Sequence, residues 1–451
     1  MAEVLSVEFQ KACQLHQQGY LQEALQCYFQ LIETDPVFWQ CYQNIGLVLF
    51  NQGQTEVGLS YLFKAHYICP TDAMCLNNIA FALHSSGHLV EADFYYDKAL
   101  ALNTHASFVL KNYANNLLSM GELERAAEVF DNLLKNDPEN FEARKGKITV
   151  LLLKGDLLSG FKAFNQQREM LNPQVYQRFL QPLWQGESIK EQTLLVHETQ
   201  DAGFGFGDMI HLARYIPWAT TFAKKVIVEC KPPLVRLFEH LHENILVIPQ
   251  KSTLPEFDVH LPMSLFPVVH KTQLDSIPTS PYLSTSKDWA SVAPLPKTSE
   301  IKIGLVWAGM PGRTQDKRRS CPFTELLALL QLPKIKFYSL QKEPIAHVLK
   351  EHHCLPLIED LSAKLNDFAD TAFIIEQLDL VISVDTAVAH LAGAMGKPTW
   401  LMLPYDPDWR WMLNRDDSPW YPSMRLFRSP KPYAWNEVIC DVKSALIQLF
   451  N

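Results

Sequence analysis

The chain has 451 residues, of which 47% are hydrophobic and 20% charged, a balance that excludes a disordered polypeptide and, at this length, a single compact core. A formal charge of -9 and a pI near 5.9 argue against a nucleic-acid backbone as the main ligand. The nine cysteines form no C-x-x-C pair, no apolar signal core opens the chain and no stretch stays apolar for about 18 residues, so a cytoplasmic chain without a membrane span is expected.

The first 172 residues are periodic. Pro36, Pro70 and Pro138 are separated by 34 and 68 residues, and Thr104 and Asn172 take the two remaining places in the series. Ala24, Gly58, Ala92, Ala126 and Gly160 share one register position; Ala12, Gly46, Ala80 and Ala114 share another. Small residues at both positions let two antiparallel helices approach closely, and Tyr28, Leu62, Tyr96, Phe130 and Phe164 would fill the space between hairpins. This pattern resembles the tetratricopeptide repeat, a helix-turn-helix unit of about 34 residues. Five units are read from Leu5 to Asn172, the last atypical at Lys147 and Ile148. Asn44, Asn77, Asn78, Asn112, Asn115 and Asn116 recur on first helices, where their amides would clamp an extended polypeptide or serve as plain solvated surface.

Beyond Asn172 strands and helices alternate. An apolar strand at Leu194 to His197 leads into "DAGFGFGD", Asp201 to Asp208, where Gly203, Gly205 and Gly207 offer backbone angles closed to other residues and close access to the main chain. Asp208 then stands at the start of a helix, as a cap or as a reactive carboxylate. Strands follow at Val226 to Cys230 and Ile245 to Pro249, with a helix at Pro232 to Leu241 between them. The proline- and serine-rich stretch from Val259 to Glu300 reads as a crossing linker.

A second series begins with the strand Ile301 to Gly309 and continues through a helix at Phe323 to Leu330, a strand at Ile335 to Gln341 and a helix at Phe368 to Leu378. The apolar run Leu380 to Val384 then fits a buried parallel strand, Asp385 and Thr386 fall in the turn at its carboxyl end, and the Ala/Gly-rich segment Ala387 to Ala394 fits a closely packed helix. Pro398 to Leu403 is a further strand. The tryptophan-rich tail reads as a folded flap at the cleft rim, followed by an amphipathic helix. In doubly wound sheets the carboxyl edges hold ligands, and a helix N-terminus there favours an anion.

These segments carry a family resemblance. "GDMIH", Gly207 to His211, resembles the N-terminal signature of the heptosyltransferases of glycosyltransferase family 9. "SVDTAVAHLAGAMGKPTWLML", Ser383 to Leu403, is similar to their donor segment, in which an aspartate, a threonine, usually a glycine, and a downstream histidine open a helix. The whole chain resembles bacterial proteins that join tetratricopeptide repeats to such a domain and, in general plan, the O-linked N-acetylglucosamine transferases. The resemblance implies an α-helical tetratricopeptide solenoid (1–172) followed by a GT-B-type glycosyltransferase region with two Rossmann-like α/β domains, an acceptor-side one at 173–290 and a nucleotide-sugar-binding one at 291–451. Ala387 stands where those proteins usually have glycine, and "DAGFGFGD" carries an extra Phe-Gly step.

Sugar transfer needs positive charge for a departing diphosphate and a base beside the acceptor hydroxyl. No H-E-x-x-H motif occurs, so a site without metal or tightly bound cofactor is expected, with a nucleotide sugar as co-substrate. Asp208 is the candidate base; Gly205 and Gly207 would admit the donor to the main chain; Thr386, Ala387 and His390 would meet the diphosphate, and Asp385 the ribose hydroxyls or its own loop. Lys317, Arg318 and Arg319 would add charge or form a solvated basic cluster, Gln341 and Lys342 would meet the base, ribose or a phosphate, and Trp307 or the Met310 region would cover the donor. The expected function is transfer of a sugar to a polypeptide acceptor recruited by the repeats. The alternatives are a non-catalytic interaction scaffold with a degenerate transferase domain, and a transferase acting on a glycan or lipid-linked sugar.

Overall fold

The computed structural model describes residues 2–104, 106–173, 177–198, 204–286, 289, 292–309, 316–342 and 344–450. The chain forms two compact units, 1–150 and 151–451. It consists of an α-helical repeat region followed by two parallel-sheet subdomains of GT-B-like architecture.

The repeat helices come in pairs: Ala2–Gln17 with Leu21–Thr34, Trp39–Asn51 with Thr55–Ile68, Ala73–Ser85 with Leu89–Leu102, Ser107–Met120 with Leu123–Asn136, and Phe141–Leu153 with Leu157–Leu171. Each pair turns on a glycine held at positive φ, at residues 19, 53, 87, 121 and 155. The amide following each turn glycine bonds back to a carbonyl five residues upstream, as in Glu122 N–H to Leu117 O at 2.9 Å, the closure of a Schellman motif. Within the second pair, a Cβ on either Gly46 or Gly58 would stand 2.8 Å from the other's carbonyl oxygen. Tyr28, Leu62, Tyr96 and Phe130 are buried between helices, as their register predicts.

Other positions depart from the periodic expectation. The fifth first-helix carries Ile148 at the register position of the small residues, and it approaches the preceding hairpin at Gly146, where a Cβ would stand 2.1 Å from Phe130 Cζ. Phe164 is half-buried against Phe204 of the glycine turn, 6.4 Å between ring centres. Several of the asparagines are engaged within the array. Asn112 donates to Asn77 Oδ1 at 3.0 Å, Asn77 to Asn78 Oδ1 at 3.3 Å, and Asn44 to the Tyr28 hydroxyl at 3.2 Å. Asn116 is fully buried and donates to Leu89 O.

The second unit contains the last repeat helix, Leu157–Leu171, and both sheets. The first sheet is built from β1 (Ile189–His197), β2 (Ala223–Cys230), β3 (Ile245–Pro249) and β4 (Val259–Pro262), all parallel, in the order β3-β2-β1-β4. The second is built from β5 (Ile301–Val306), β6 (Ile335–Ser339), β7 (Ile358–Asp360), β8 (Leu380–Val384), β9 (Thr399–Leu403) and β10 (Met424–Arg428), also parallel, in the order β10-β9-β8-β5-β6-β7. Counted from its own first strand this is the doubly wound order 3-2-1-4-5-6. β4 lies in the stretch expected to be linker, and β10 in the tail expected to be a flap. The closing helix Trp435–Phe450 buries Trp435, Val438, Ile439 and Val442 in the core that contains β5, β6 and β8.

Polar links tie the two sheet subdomains together. Arg214, beyond β1, donates to Trp420 O at 2.8 Å and Pro278 O at 3.2 Å, and lies over the Tyr421 ring. Arg236, beyond β2, bonds Asp367 at 2.8 Å and Asp370 at 3.2 Å, at the start of the helix Phe368–Glu376.

Candidate active site

The two sequence segments singled out for chemistry meet in space. Helix Phe206–Leu212 follows β1 and helix Ala387–Ala394 follows β8, so each starts near the carboxyl edge of its own sheet. A Cβ on Gly207 would stand 2.9 Å from His390 Cδ2 and 3.5 Å from Ala387 Cα. Gly207 is therefore required by close approach. Neither it nor Gly205 has positive φ, contrary to the expectation of special backbone angles. Gly203 and the rest of 199–203 lie outside the described residues.

Asp208 is the third residue of the first of these helices. Its Oδ2 accepts from Gly205 N–H at 2.7 Å, which is the capping role, and its Oδ1 accepts from Arg410 Nη2 at 2.5 Å. On the other side, Thr386 is the N-cap of Ala387–Ala394, but its hydroxyl lies 3.0 Å from Ser383 Oγ and makes no capping bond. His390 is buried: Nδ1 lies 2.9 Å from the Tyr421 hydroxyl, the ring stacks on Trp411, and Nε2 lies 3.7 Å from Asp385 Oδ1. Burial, reinforced by Arg410, Arg214 and Arg319, lowers its pKa well below the usual value, so the imidazole is neutral. Asp385 is pushed up to about 6 by burial and by Asp408, against the opposing pull of Arg410, the Trp411 indole and Arg319.

Arg410 is the hub of this arrangement. It sits in the short helix Trp409–Trp411, and its side chain is 15% exposed. Besides Asp208, it bonds Asp408 Oδ1 through Nη1 at 2.8 Å and lies over the Trp409 ring at 4.4 Å. Burial works against its charge, while Asp408, Asp208 and Asp385 hold it firmly protonated. Its Nε, together with His211 Nε2 and Trp420 Nε1, is buried with no hydrogen-bond partner among the described residues.

The remaining predicted residues divide. Arg318 pairs with Asp406 at 3.1 Å, and Arg319 lies near enough to act electrostatically on Asp385 and His390. The Lys317 side chain and Met310 lie outside the described residues. Trp307 is a core residue packed on Phe323, with 5.1 Å between ring centres. Gln341 spends its amide on main chain, accepting from Trp307 N–H and Ala308 N–H and donating to Ala308 O. Lys342 donates to Ser362 O and Leu365 O. Gln341 and Lys342 thus brace the loops beyond their strand, and Trp307 packs in the core.

No family model matches the chain. Protein FlbA of Caulobacter vibrioides is 32% identical over 152 residues, 32% of this chain, and the match spans a quarter (25%) of FlbA's length. Among solved structures, a crystal structure of MamA is 19% identical, with a TM-score of 0.34 over 37% of this chain and 96% of its own. YrrB, described as a TPR protein with an unusual peptide-binding site, is 17% identical, with a TM-score of 0.32 over 36% of this chain and 84% of its own. PilF of Pseudomonas aeruginosa is 19% identical, with a TM-score of 0.34 over 37% and 77%.

The last repeat helix is built into the rim of this site. Phe161 meets Trp409 edge-on with 5.4 Å between ring centres, and Asn165 exchanges hydrogen bonds with Ser264 at 2.8 and 3.0 Å. Arg168 bonds the fully buried Glu198, which follows β1, at 2.7 Å and lies over Phe204. No group of three or more His, Cys, Asp or Glu side chains among the described residues is placed to hold a metal ion. No described helix is long and apolar enough to cross a membrane. Chemically, the site offers one carboxylate at the end of the first sheet, two guanidinium groups and a neutral imidazole beside the second, and a half-open mouth at Asp208, whose side chain is 28% exposed.

Proposed function

We propose that this chain is a metal-independent glycosyltransferase that moves a sugar from a nucleotide-sugar donor to a protein acceptor recruited by its repeats. The observation that carries the reading is the convergence of Asp208 from one sheet edge with Asp385, Thr386, His390 and Arg410 from the other. Preorganised cations at a developing diphosphate charge are the largest catalytic resource for such a transfer. Arg410 and Arg319 are the cations proposed here. The uncapped start of Ala387–Ala394 would add N–H donors, and His390, being neutral, would donate one hydrogen bond without adding charge. Asp208 is the base proposed for a serine or threonine hydroxyl, and the domain boundaries follow as repeats to 172, an acceptor-side domain to 290 and a donor-side domain beyond.

The test is calorimetry of the full chain with nucleoside diphosphates in the presence of chelator, coupled to mass spectrometry of proteins co-expressed with it. Binding without metal, and a sugar-sized mass increment on a partner protein, are expected. Thr386→Ala should weaken diphosphate binding by about 1 to 3 kcal/mol, the worth of a hydrogen bond to a charged group.

A second reading has its own observation. Both oxygens of Asp208 are engaged, one by the helix cap and one by Arg410, as in a scaffold that has no use for a base. A non-catalytic interaction protein would bind none of the diphosphates.

A further inference from the structure

The transferase reading leaves one difficulty, and its resolution gives Arg410, already one of its proposed cations, a further role in holding the base. A carboxylate bonded at 2.5 Å to a guanidinium is a poor acceptor for a hydroxyl proton, because protonating it strands the cation. In the resting chain Asp208 is held this way, while Gly205 N–H fixes its second oxygen at 2.7 Å.

We propose that Arg410 is the donor-phosphate ligand of this site and that it holds Asp208 in reserve, exchanging the Asp208 carboxylate for a diphosphate oxygen when the donor binds. The proposal rests on the transferase reading above. Three features of Arg410 carry it. Its guanidinium is clustered with three aspartates, Asp208, Asp385 and Asp408, each of which stabilises its charge. Its Nε has no hydrogen-bond partner among the described residues although the atom is buried, a desolvation cost that an incoming acceptor would remove. Its guanidinium lies over the Trp409 ring at 4.4 Å, and the planar fork of a guanidinium matches phosphate oxygens in two-point contact.

The exchange orders the reaction. Before donor binding, Asp208 Oδ1 is occupied. When phosphate oxygens take Nη2 and Nε, Asp208 keeps only its Gly205 anchor, which aims the carboxylate while leaving Oδ1 bare. The acceptor hydroxyl then gives its proton to Asp208 Oδ1, its oxygen bonds to the anomeric carbon, and the bond from that carbon to the diphosphate oxygen breaks. The electron pair leaves on the nucleoside diphosphate, where Arg410 meets the charge. Acceptor hydroxyls that arrive before the donor find no base.

The exchange has a sign that neither a structural ion pair nor a plain base shares: Asp208 and diphosphate compete for one cation. Calorimetry would compare wild type, Asp208→Asn, Arg410→Lys and Arg410→Gln, all as full chains, with the 5′-diphosphates of uridine, guanosine, adenosine, cytidine and thymidine. For whichever diphosphate wild type binds, Asp208→Asn should bind about three- to tenfold tighter, the scale of a lost partly screened ion pair. Arg410→Gln should bind roughly 10- to 100-fold weaker, with Arg410→Lys between. Unchanged or weaker binding by Asp208→Asn, or wild-type binding by Arg410→Gln, would overturn the exchange and leave the transferase reading standing. Failure of wild type to bind any of the five would overturn both. If Arg410→Gln does not fold, the Asp208→Asn arm decides alone, since the asparagine side-chain oxygen can still accept from Gly205 N–H.

Discussion

Gly207 and His390 are in contact: the ring Cδ2 lies 2.9 Å from where a Cβ on residue 207 would be. This contact brings together two motifs 183 positions apart in sequence by their numbers. The histidine ring cannot yield easily, because Tyr421 holds its Nδ1 and Trp411 covers its face. Gly207→Ala should therefore destabilise the fold by about 1 to 3 kcal/mol, the cost of overpacking a tight core. Gly205→Ala is the control. Its added methyl would meet Asp208 Oδ2 at 3.4 Å in an ordinary extended conformation, so its denaturation midpoint should stay near wild type.

A pH dependence follows from Asp385. Its carboxyl is raised from 3.8 to about 6, chiefly by burial and then by Asp408, so the folded state holds this proton more tightly than the unfolded chain does. Stability from this group is full below about pH 4, declines as pH rises through 6, and stays lost above. Asp385→Asn removes the cost of a buried charge. The variant should be more stable than wild type at pH 7 to 8, and the difference should shrink toward pH 4; equal unfolding midpoints across that range would refute it.

How much of this was legible in the sequence depends on how local each determinant is. The prolines at 36, 70 and 138 expose the repeat, but the turn glycines at 19, 53, 87, 121 and 155 mark every hairpin at the same spacing of 34, with a left-handed φ that only glycine adopts cheaply. β8 and β9 were readable because buried parallel strands are apolar throughout; β4, with four residues ending in proline, and β7, with three, are too short to show a period. The placement of Asp208, Thr386 and His390 at helix starts beyond strands was legible because each lies in a strand-turn-helix signature. That of Arg410 was not, since it lies in a tryptophan-rich loop and its partner is 202 residues away; the tail's alternating charge and tryptophans were the available signal. The core packing of Trp307 and the main-chain bonds of Gln341 and Lys342 were equally illegible, because a strand end says nothing about where a side chain turns.

The buried pair Arg168 and Glu198 makes the last repeat helix part of the fold beyond it. Arg168→Ala takes the guanidinium from a fully buried carboxylate, a change that typically costs about 3 to 5 kcal/mol. Arg168→Lys should recover part of this. Urea midpoints of the two variants check the ordering, and equal midpoints would show that the pair contributes little.

The same helix decides where the repeats can be removed. A chain starting at 173 follows the sequence period but discards Asn165, Arg168 and Phe161, and with them the bonds to Ser264 and Glu198 and the edge contact to Trp409. A chain starting at 151 keeps all of them and coincides with the compact unit 151–451. The shorter chain should melt lower and bind nucleoside diphosphate poorly, because Trp409 carries Arg410 on its face. The longer one should fold cooperatively and bind diphosphate as the full chain does, yet lose most transfer to a protein acceptor, since the repeats proposed to recruit the acceptor are gone. Melting curves and diphosphate affinity separate the first effect, and initial transfer rates measured at saturating donor separate the second. If the chain starting at 151 modified a protein acceptor as fast as the full chain, acceptor selection would lie in the sheet subdomains and not in the repeats.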